Sequence, residues 1–184
     1  MTPPQRLGEL FAKLDAFFAQ AEQHHGPAIT CKAGCDDCCR RRFSVTSVEA
    51  AVLLEAIDQL PIETRHAIRD RASRDESACP LLAENGQCEV YAARPAICRT
   101  HGLPIRFPAE PGVRSLPMID ACPKNFVGID ITTLDSKSVL DQKTASTILA
   151  AIDAAYADMV GCPRGERIEI RDICQEACPD DAIA

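Results

Sequence analysis

Residues 5–24 (QRLGELFAKLDAFFAQAEQH) place Leu7, Leu10, Phe11, Leu14, Phe17, Phe18 and Ala21 at three- and four-residue spacings. That pattern predicts a helix with one apolar stripe, stopped by Gly26-Pro27. Thr46 followed by Glu49 has the form of a capping box, so a second helix is expected over about 47–60 and ends at Pro61. A third, over about 62–76, is far more polar. Its Arg65, Arg69, Arg71 and Arg74 are offset by Glu63, Asp70, Asp75 and Glu76, which reads as a solvated face with intrahelical ion pairs rather than an anion site. Helical periodicity returns from about 133 to 160, with Ala145, Ile148, Leu149, Ile152, Tyr156 and Met159 on one face, and Arg167 to Ile173 reads as a strand.

The middle of the chain is different. Residues 79–91 (CPLLAENGQCEVY) read as two short strands about an Asn85-Gly86 turn, which brings Cys79 close to Cys88. Over 92–126, Pro95, Gly102, Pro104, Pro108, Pro111, Gly112 and Pro117 exclude long regular elements, so this stretch needs another source of order. The expected fold is mainly α with a small β-hairpin, a single domain over 1–184 with about four helices around a cysteine-rich, loop-rich metal-binding core. The cysteine-cluster region is expected at 28–125, and a C-terminal helix and cysteine-containing tail at 133–184.

Composition narrows the function. Hydrophobic residues at 46% and charged residues at 26% are ordinary globular usage, which excludes wholesale disorder. The departure from the norm is 11 cysteines in 184 residues. An odd count cannot pair wholly within the chain, and MTPPQRLGELFAK lacks the features of a secretory signal. The expected compartment is therefore the cytoplasm, where thiols stay reduced and clustered cysteines bind metal. The most apolar long window, TILAAIDAAYADMV, carries Asp153 and Asp158, so no membrane association is expected. A net charge of −7 with few aromatics argues against nucleic acid. The expected partners are metal ions, with a redox or protein partner in addition.

The densest chemistry is Cys31-x3-Cys35-x2-Cys38-Cys39, whose short gaps let sulfurs converge on one ion or cluster. Neighbouring side chains diverge in extended or helical backbone, so one of Cys38 and Cys39 is expected to face a second metal or to bridge. Cys79, Cys88 and Cys98 supply a second half, with Cys122 as the eighth thiol, enough for two interleaved four-cysteine sites. Buried thiolates need cationic or amide compensation. Lys32, Arg40, Arg41 and Arg42 flank the first motif, and Arg94 and Arg99 bracket Cys98, where they are placed to donate to sulfur. Asp36 and Asp37 read as solvent-facing, and His101, beside a Gly turn, as a surface residue with a role in ligation or tuning left open.

CKAGCDDCC, the capped helix beginning SVEAA, and CPLL-(x5)-CEVYAARPAICR together resemble the YkgJ-type cysteine-cluster family, described as a zinc- or iron-chelating domain with a CxxxCxxCC signature. The resemblance covers about residues 28–125. It implies a metal site built from Cys31, Cys35, Cys38, Cys39, Cys79, Cys88 and Cys98, with Cys122 as the later cysteine. The flagellin lysine methylases are similar in their cysteine cluster but are larger, and nothing here marks a methyl-donor pocket.

Thiolate coordination suits zinc and iron–sulfur clusters alike. Four cysteines precede proline, and Cys174-x3-Cys178-Pro179 matches the end of a bacterial ferredoxin run, which tips the reading towards an iron–sulfur cluster over zinc. Cys31-x3-Cys35-x2-Cys38 also has radical-SAM spacing, but the chain lacks the strand–helix repeats of the usual barrel. Cys162, Cys174 and Cys178 are left to a third site, an extension of the cluster or plain buried thiols. No phosphate loop, GxSxG elbow, HExxH or paired-carboxylate arrangement is present, and whether the protein is an enzyme stays open. The sequence thus points to a metal-binding protein used in electron transfer or metal handling. Its rivals are a redox-active iron–sulfur enzyme or methylation accessory and a zinc-stapled interaction module.

Overall fold

The computed structural model describes residues 1–74, 77–109 and 118–176. Helix α1 (Pro3–His25) is opened by a capping box in which Thr2 and Gln5 exchange side-chain and backbone bonds, and it stops at Gly26. Its buried stripe is Leu7, Leu10, Phe11, Leu14 and Ala21, with Phe17 and Phe18 partly buried, as its spacing predicts. Strand β1 (Ser44–Thr46) runs directly into α2 (Ser47–Asp58). The Thr46–Glu49 capping box is present, with Thr46 N donating to Glu49 Oε2 over 3.0 Å. Glu49 Oε1 in turn accepts from Ala96 N at 2.8 Å, at the start of the short α4 (Ala96–Thr100). One buried carboxylate therefore fixes two helix starts, the second of them on the helix that carries Cys98.

Helix α3 (Ile62–Ser73) is polar as expected, but Arg71 is not spent on an intrahelical pair. Its Nε donates to Pro80 O at 2.7 Å and its Nη2 meets Glu89 at 3.4 Å, so it ties the helix to the cysteine-bearing turn. That turn closes on a single antiparallel bridge, Leu82 to Cys88, with Gly86 at a positive φ of 79°. Two extended strands are not needed to place Cys79 and Cys88 together.

Strands β2 (Ile105–Phe107), β3 (Met118–Asp120) and β4 (Leu140–Asp141) form a small sheet in the order β3-β2-β4, with β2 antiparallel to β3 and parallel to β4. The helix expected from 133 begins later, as α5 (Gln142–Val160). Before it, Asp130 and Asp135 accept from the backbone of Thr132 and Lys137, each at 3.0 Å, and hold two 3-10 turns that compete with helix. Of the face expected for α5, Ile152 is buried and Leu149 and Tyr156 pack against the core. Ile152, Asp153 and Ala157 are buried, whereas Ile148 and Met159 are exposed. Asp153 joins the inward side, its carboxylate accepting from Val48 N in the first turn of α2 at 3.1 Å.

The strand expected over 167–173 divides. β5 (Arg167–Glu169) pairs antiparallel with β1, and the chain then turns helical as α6 (Ile170–Glu176). Ile170, Ile173 and Cys174 stand at three- and four-residue spacings and face the core, while Arg171 donates to the carbonyls of Arg71 and Ala72 in the last turn of α3 and of Arg74 and Ala78 beyond it.

The protein is mainly α, with two apolar cores. One joins α2, α3 and α6 through Leu53, Ile57, Ile68 and Ile173, with Cys79 and Cys88 packed against it. The other joins α1 and α5 to the loops through Leu7, Leu10, Leu103 and Ile152, with Cys31 packed against it. Among the described residues, no helix is long and apolar enough to cross a membrane.

Candidate metal centre

The loop after α1 runs through Cys31 and Cys35 into a 3-10 turn at Asp37–Arg40 that holds Cys38 and Cys39. Tight turns set the spacing, with Cys35 N donating to Lys32 O and Cys39 N to Asp36 O, each at 2.9 Å. Cys79 N then donates to Cys39 O at 2.6 Å, so the second cysteine segment is bonded directly onto the first. Cys98 arrives on α4, whose start is set by Pro95 and Glu49.

These segments enclose a cavity of about 310 Å3. Seven of the eight predicted thiol positions line it, namely Cys31, Cys35, Cys38, Cys39, Cys79, Cys88 and Cys98. Leu53, Leu81, Val90 and Ile170 supply its apolar wall. Cys122 is buried and does not line the cavity, but it lies within electrostatic reach of Cys31. The cavity sits between the two apolar cores, taking Cys31 from one and Cys79 and Cys88 from the other.

Cys38 and Cys39 do not diverge as adjacent side chains in regular backbone would. The tight turn brings their thiols into hydrogen-bonding contact, and that contact, ahead of burial, raises the Cys38 pKa. Cys38 also lies within electrostatic reach of Cys31, Cys79, Cys88 and Cys98, which makes it the shared member of the group. Burial pushes the Cys31 and Cys79 thiols up to about 11 each and raises those of Cys88 and Cys98. Arg94 opposes the rise at Cys88 and Cys98, in line with its expected compensating position, and stacks 3.5 Å above the Tyr91 ring. Arg99 does not serve sulfur. Its guanidinium pairs with Asp15 at 2.5 Å and bonds the carbonyls of Ala92 and Arg94. Asp36 and Asp37 are held outside, by Arg40 at 2.6 Å and Lys124 at 2.5 Å.

Several residues of the site are not apparent from the cysteine pattern. Asn125 is buried, its side chain hydrogen-bonds the Cys31 thiol, and it also accepts from Thr30 N at 2.9 Å and donates to Gly102 O at 2.6 Å. Its signal is its place three residues after Cys122. Gly102 is required by close approach, because a Cβ there would stand 2.7 Å from both Cβ and Sγ of Cys31. His101 lines the cavity rather than the outer surface, edge-on to Phe43, and burial lowers its pKa. Cys174 on α6 is fully buried in the core cluster against which Cys79 and Cys88 pack. Cys162 follows the left-handed Gly161 cap of α5 and does not line the cavity, and Cys178 lies outside the described residues.

The donor set is sulfur-rich, and the two nearest carboxylates of the motif are engaged elsewhere, which fits a thiophilic metal. Among the described residues, no three Cys, His, Asp or Glu side chains are drawn together closely enough to grip one ion as they stand. The thiols surround a space instead of meeting at a point.

No curated protein and no solved structure matches the chain. Cys122, Cys162, Cys174 and Cys178 fall outside the one matched segment, which holds all seven cavity-lining cysteines. Residues 30–110, somewhat under half of the chain, match the model of the CxxCxxCC family, described as a putative zinc- or iron-chelating domain, and the match supports metal binding by this cysteine-rich segment.

Proposed function

We propose that the cavity holds an iron–sulfur cluster on thiolates drawn from Cys31, Cys35, Cys38, Cys39, Cys79, Cys88 and Cys98, with Cys122 behind Cys31, and that the protein transfers electrons. One observation carries the reading. Seven thiols from three separate segments face a single cavity of about 310 Å3 without converging on one point. Four thiolates on a lone zinc would each sit about 2.3 Å from the ion, a much smaller cage. A cluster with its own sulfide fills a wider one. When bound, such a cluster supplies one-electron chemistry at a potential set by charge, hydrogen bonds and burial. The chain's part is to hold the thiols, to shield them with Leu53, Leu81, Val90 and Ile170, and to offset negative charge with Arg94 and Lys32 on the cavity wall.

The test is anaerobic purification followed by metal and acid-labile sulfide analysis. Iron with sulfide and broad visible absorbance is expected. Zinc without sulfide or colour overturns the cluster, and no bound metal overturns the metal centre.

A second reading, two zinc ions for metal handling or for stapling an interaction module, draws support from the electrostatic grouping of the thiols. Cys31 neighbours Cys35 and Cys122, whereas Cys79, Cys88 and Cys98 neighbour one another, and Cys38 belongs to both groups. Cys38→Ser and Cys39→Ser, each assayed for metal content, separate the cases. Loss of different fractions of the metal marks two sites.

A further inference from the structure

The sulfurs on the cavity wall receive their hydrogen bonds in two ways. Cys79 and Cys88 each accept from the backbone amide two residues on, that of Leu81 and that of Val90. Pro80 carries no amide hydrogen, so the Leu81 amide is the first available after Cys79. Cys31 accepts instead from a side chain, the amide of Asn125, which arrives on the loop after β3.

The orientation of that amide is fixed by its other bonds. Asn125 is 4% exposed, and its Oδ1 accepts from both donors of Thr30, the backbone amide and the hydroxyl, each at 2.9 Å. Its nitrogen must then point the other way. One Nδ2 hydrogen goes to Gly102 O at 2.6 Å, which leaves the second for the Cys31 sulfur. Thr30 adjoins Cys31 in the chain, and Gly102 is the residue whose Cβ would stand 2.7 Å from Cys31 Sγ. Asn125 thus grips Cys31 through the residue before it, the residue packed on its sulfur and the sulfur itself. The loop is anchored on either side of Asn125, by Lys124 Nζ on Asp37 at 2.5 Å and by Phe126 N on Ala28 O at 2.8 Å. Phe126 is buried and holds φ at 57°, a left-handed conformation that a bulky residue keeps only where its surroundings enforce it.

We propose that Asn125 is a positioning residue of the metal centre, donating through Nδ2 to the Cys31 sulfur so that this thiolate keeps its place on the cavity wall and part of its negative charge is offset. A thiolate accepts a hydrogen bond more strongly than a thiol, so the bond favours the metal-bound state. The inference rests on the reading of the cavity as a metal centre and is the same for zinc and for an iron–sulfur cluster. It gives a role at the centre to a residue beyond the matched segment 30–110.

Cadmium binding to the reduced, metal-free full chain, measured by competition with a chelator, tests it. Asn125→Asp keeps the side-chain shape and the acceptor for Thr30 but removes both N–H donors. It is expected to weaken cadmium at least about tenfold, the usual cost of losing a partner of this kind. Thr30→Val loosens the same loop while leaving the donor to sulfur in place, and is expected to bind close to the parent. Action through Cys31, as opposed to general packing, is read from a double-mutant cycle, because in a Cys31→Ala background the Asn125→Asp loss is expected to shrink to near zero. Asn125→Ala supplies the same cycle should the aspartate variant fail to fold, with folding read by far-UV circular dichroism. Parent affinity in both Asn125 variants, an equal loss in the Cys31→Ala background, or a Thr30→Val loss as large as that of Asn125→Asp would overturn the role of Asn125 and leave the metal centre standing. A parent that binds no cadmium would overturn the metal centre itself, and the inference with it.

Discussion

At the scale of single residues, the centre depends on groups that are not sulfur. Gly102 leaves room for Cys31, and Asn125 joins the Cys31 thiol, Thr30 and Gly102 in one buried set of bonds. A methyl group on residue 102 would have to displace a side chain whose Cβ and Sγ both stand 2.7 Å from it, with Phe18 at 3.1 Å behind. Overpacking of this kind costs about 1–3 kcal/mol. Gly102→Ala is therefore expected to lower the thermal midpoint and to reduce bound metal, while leaving the far-UV helical signal in place. Metal analysis alongside a thermal melt checks it, and a variant with the parent's metal content and midpoint would remove Gly102 from the site. Residue chemistry also explains why the adjacent Cys38 and Cys39 act as a pair. A 3-10 turn brings their thiols into contact, a conformation that pairwise reasoning from extended or helical backbone does not reach.

At the scale of elements, polar side chains at helix starts position the site. Glu49 begins α2 and α4 together, and Asp153 of α5 accepts from the first turn of α2. Asp153 is 2% exposed, so its replacement leaves a buried amide without its partner. Asp153→Ala is expected to cost about 1–3 kcal/mol, read as a lower urea midpoint with an unchanged m-value. A cost near zero would mean that water replaces the carboxylate. The same two acids mark what the sequence discloses. The stripe of α1 and the Thr46–Glu49 box are local, repeat at helical spacing, and appear in the fold as expected. The second bond of Glu49, to a residue 47 positions away, leaves no local trace, and neither does that of Asp153 across 105 positions. The expected stripe of α5 packs inward at Leu149, Ile152 and Tyr156, but the inward place of Asp153 is not legible for that reason. The end of β5 was partly legible, since Ile170, Ile173 and Cys174 carry helical spacing that a strand reading passes over. Cys174 itself needed the fold, because only the packing of α6 brings it to Cys79 and Cys88.

For the whole molecule, the thiols lie where the two apolar cores meet, so their ionisation acts on the stability of the entire chain. Burial sets the sign. In the metal-free protein, Cys79 is raised from 9.0 to about 11, meaning that the folded state holds this proton more tightly than the unfolded state. Below about pH 9 both states keep it and the thiol has no pH effect. Between about 9 and 11 the unfolded chain ionises and the folded one does not, so stability falls as pH rises, by about 3 kcal/mol for this one group. Cys88 and Cys98 are raised in the same direction and add to the loss. Metal reverses the preference, since a bound thiol is a thiolate and loading releases its proton. Urea denaturation at pH 8 and pH 10.5 is expected to show the metal-free protein weakening sharply while the loaded protein changes little. Metal addition to unbuffered protein at pH 8 is expected to acidify the solution. If the metal-free protein were equally stable at both values, the thiols would already be ionised or exposed, and the cavity between the cores would not be the sheltered space that the seven cysteines line.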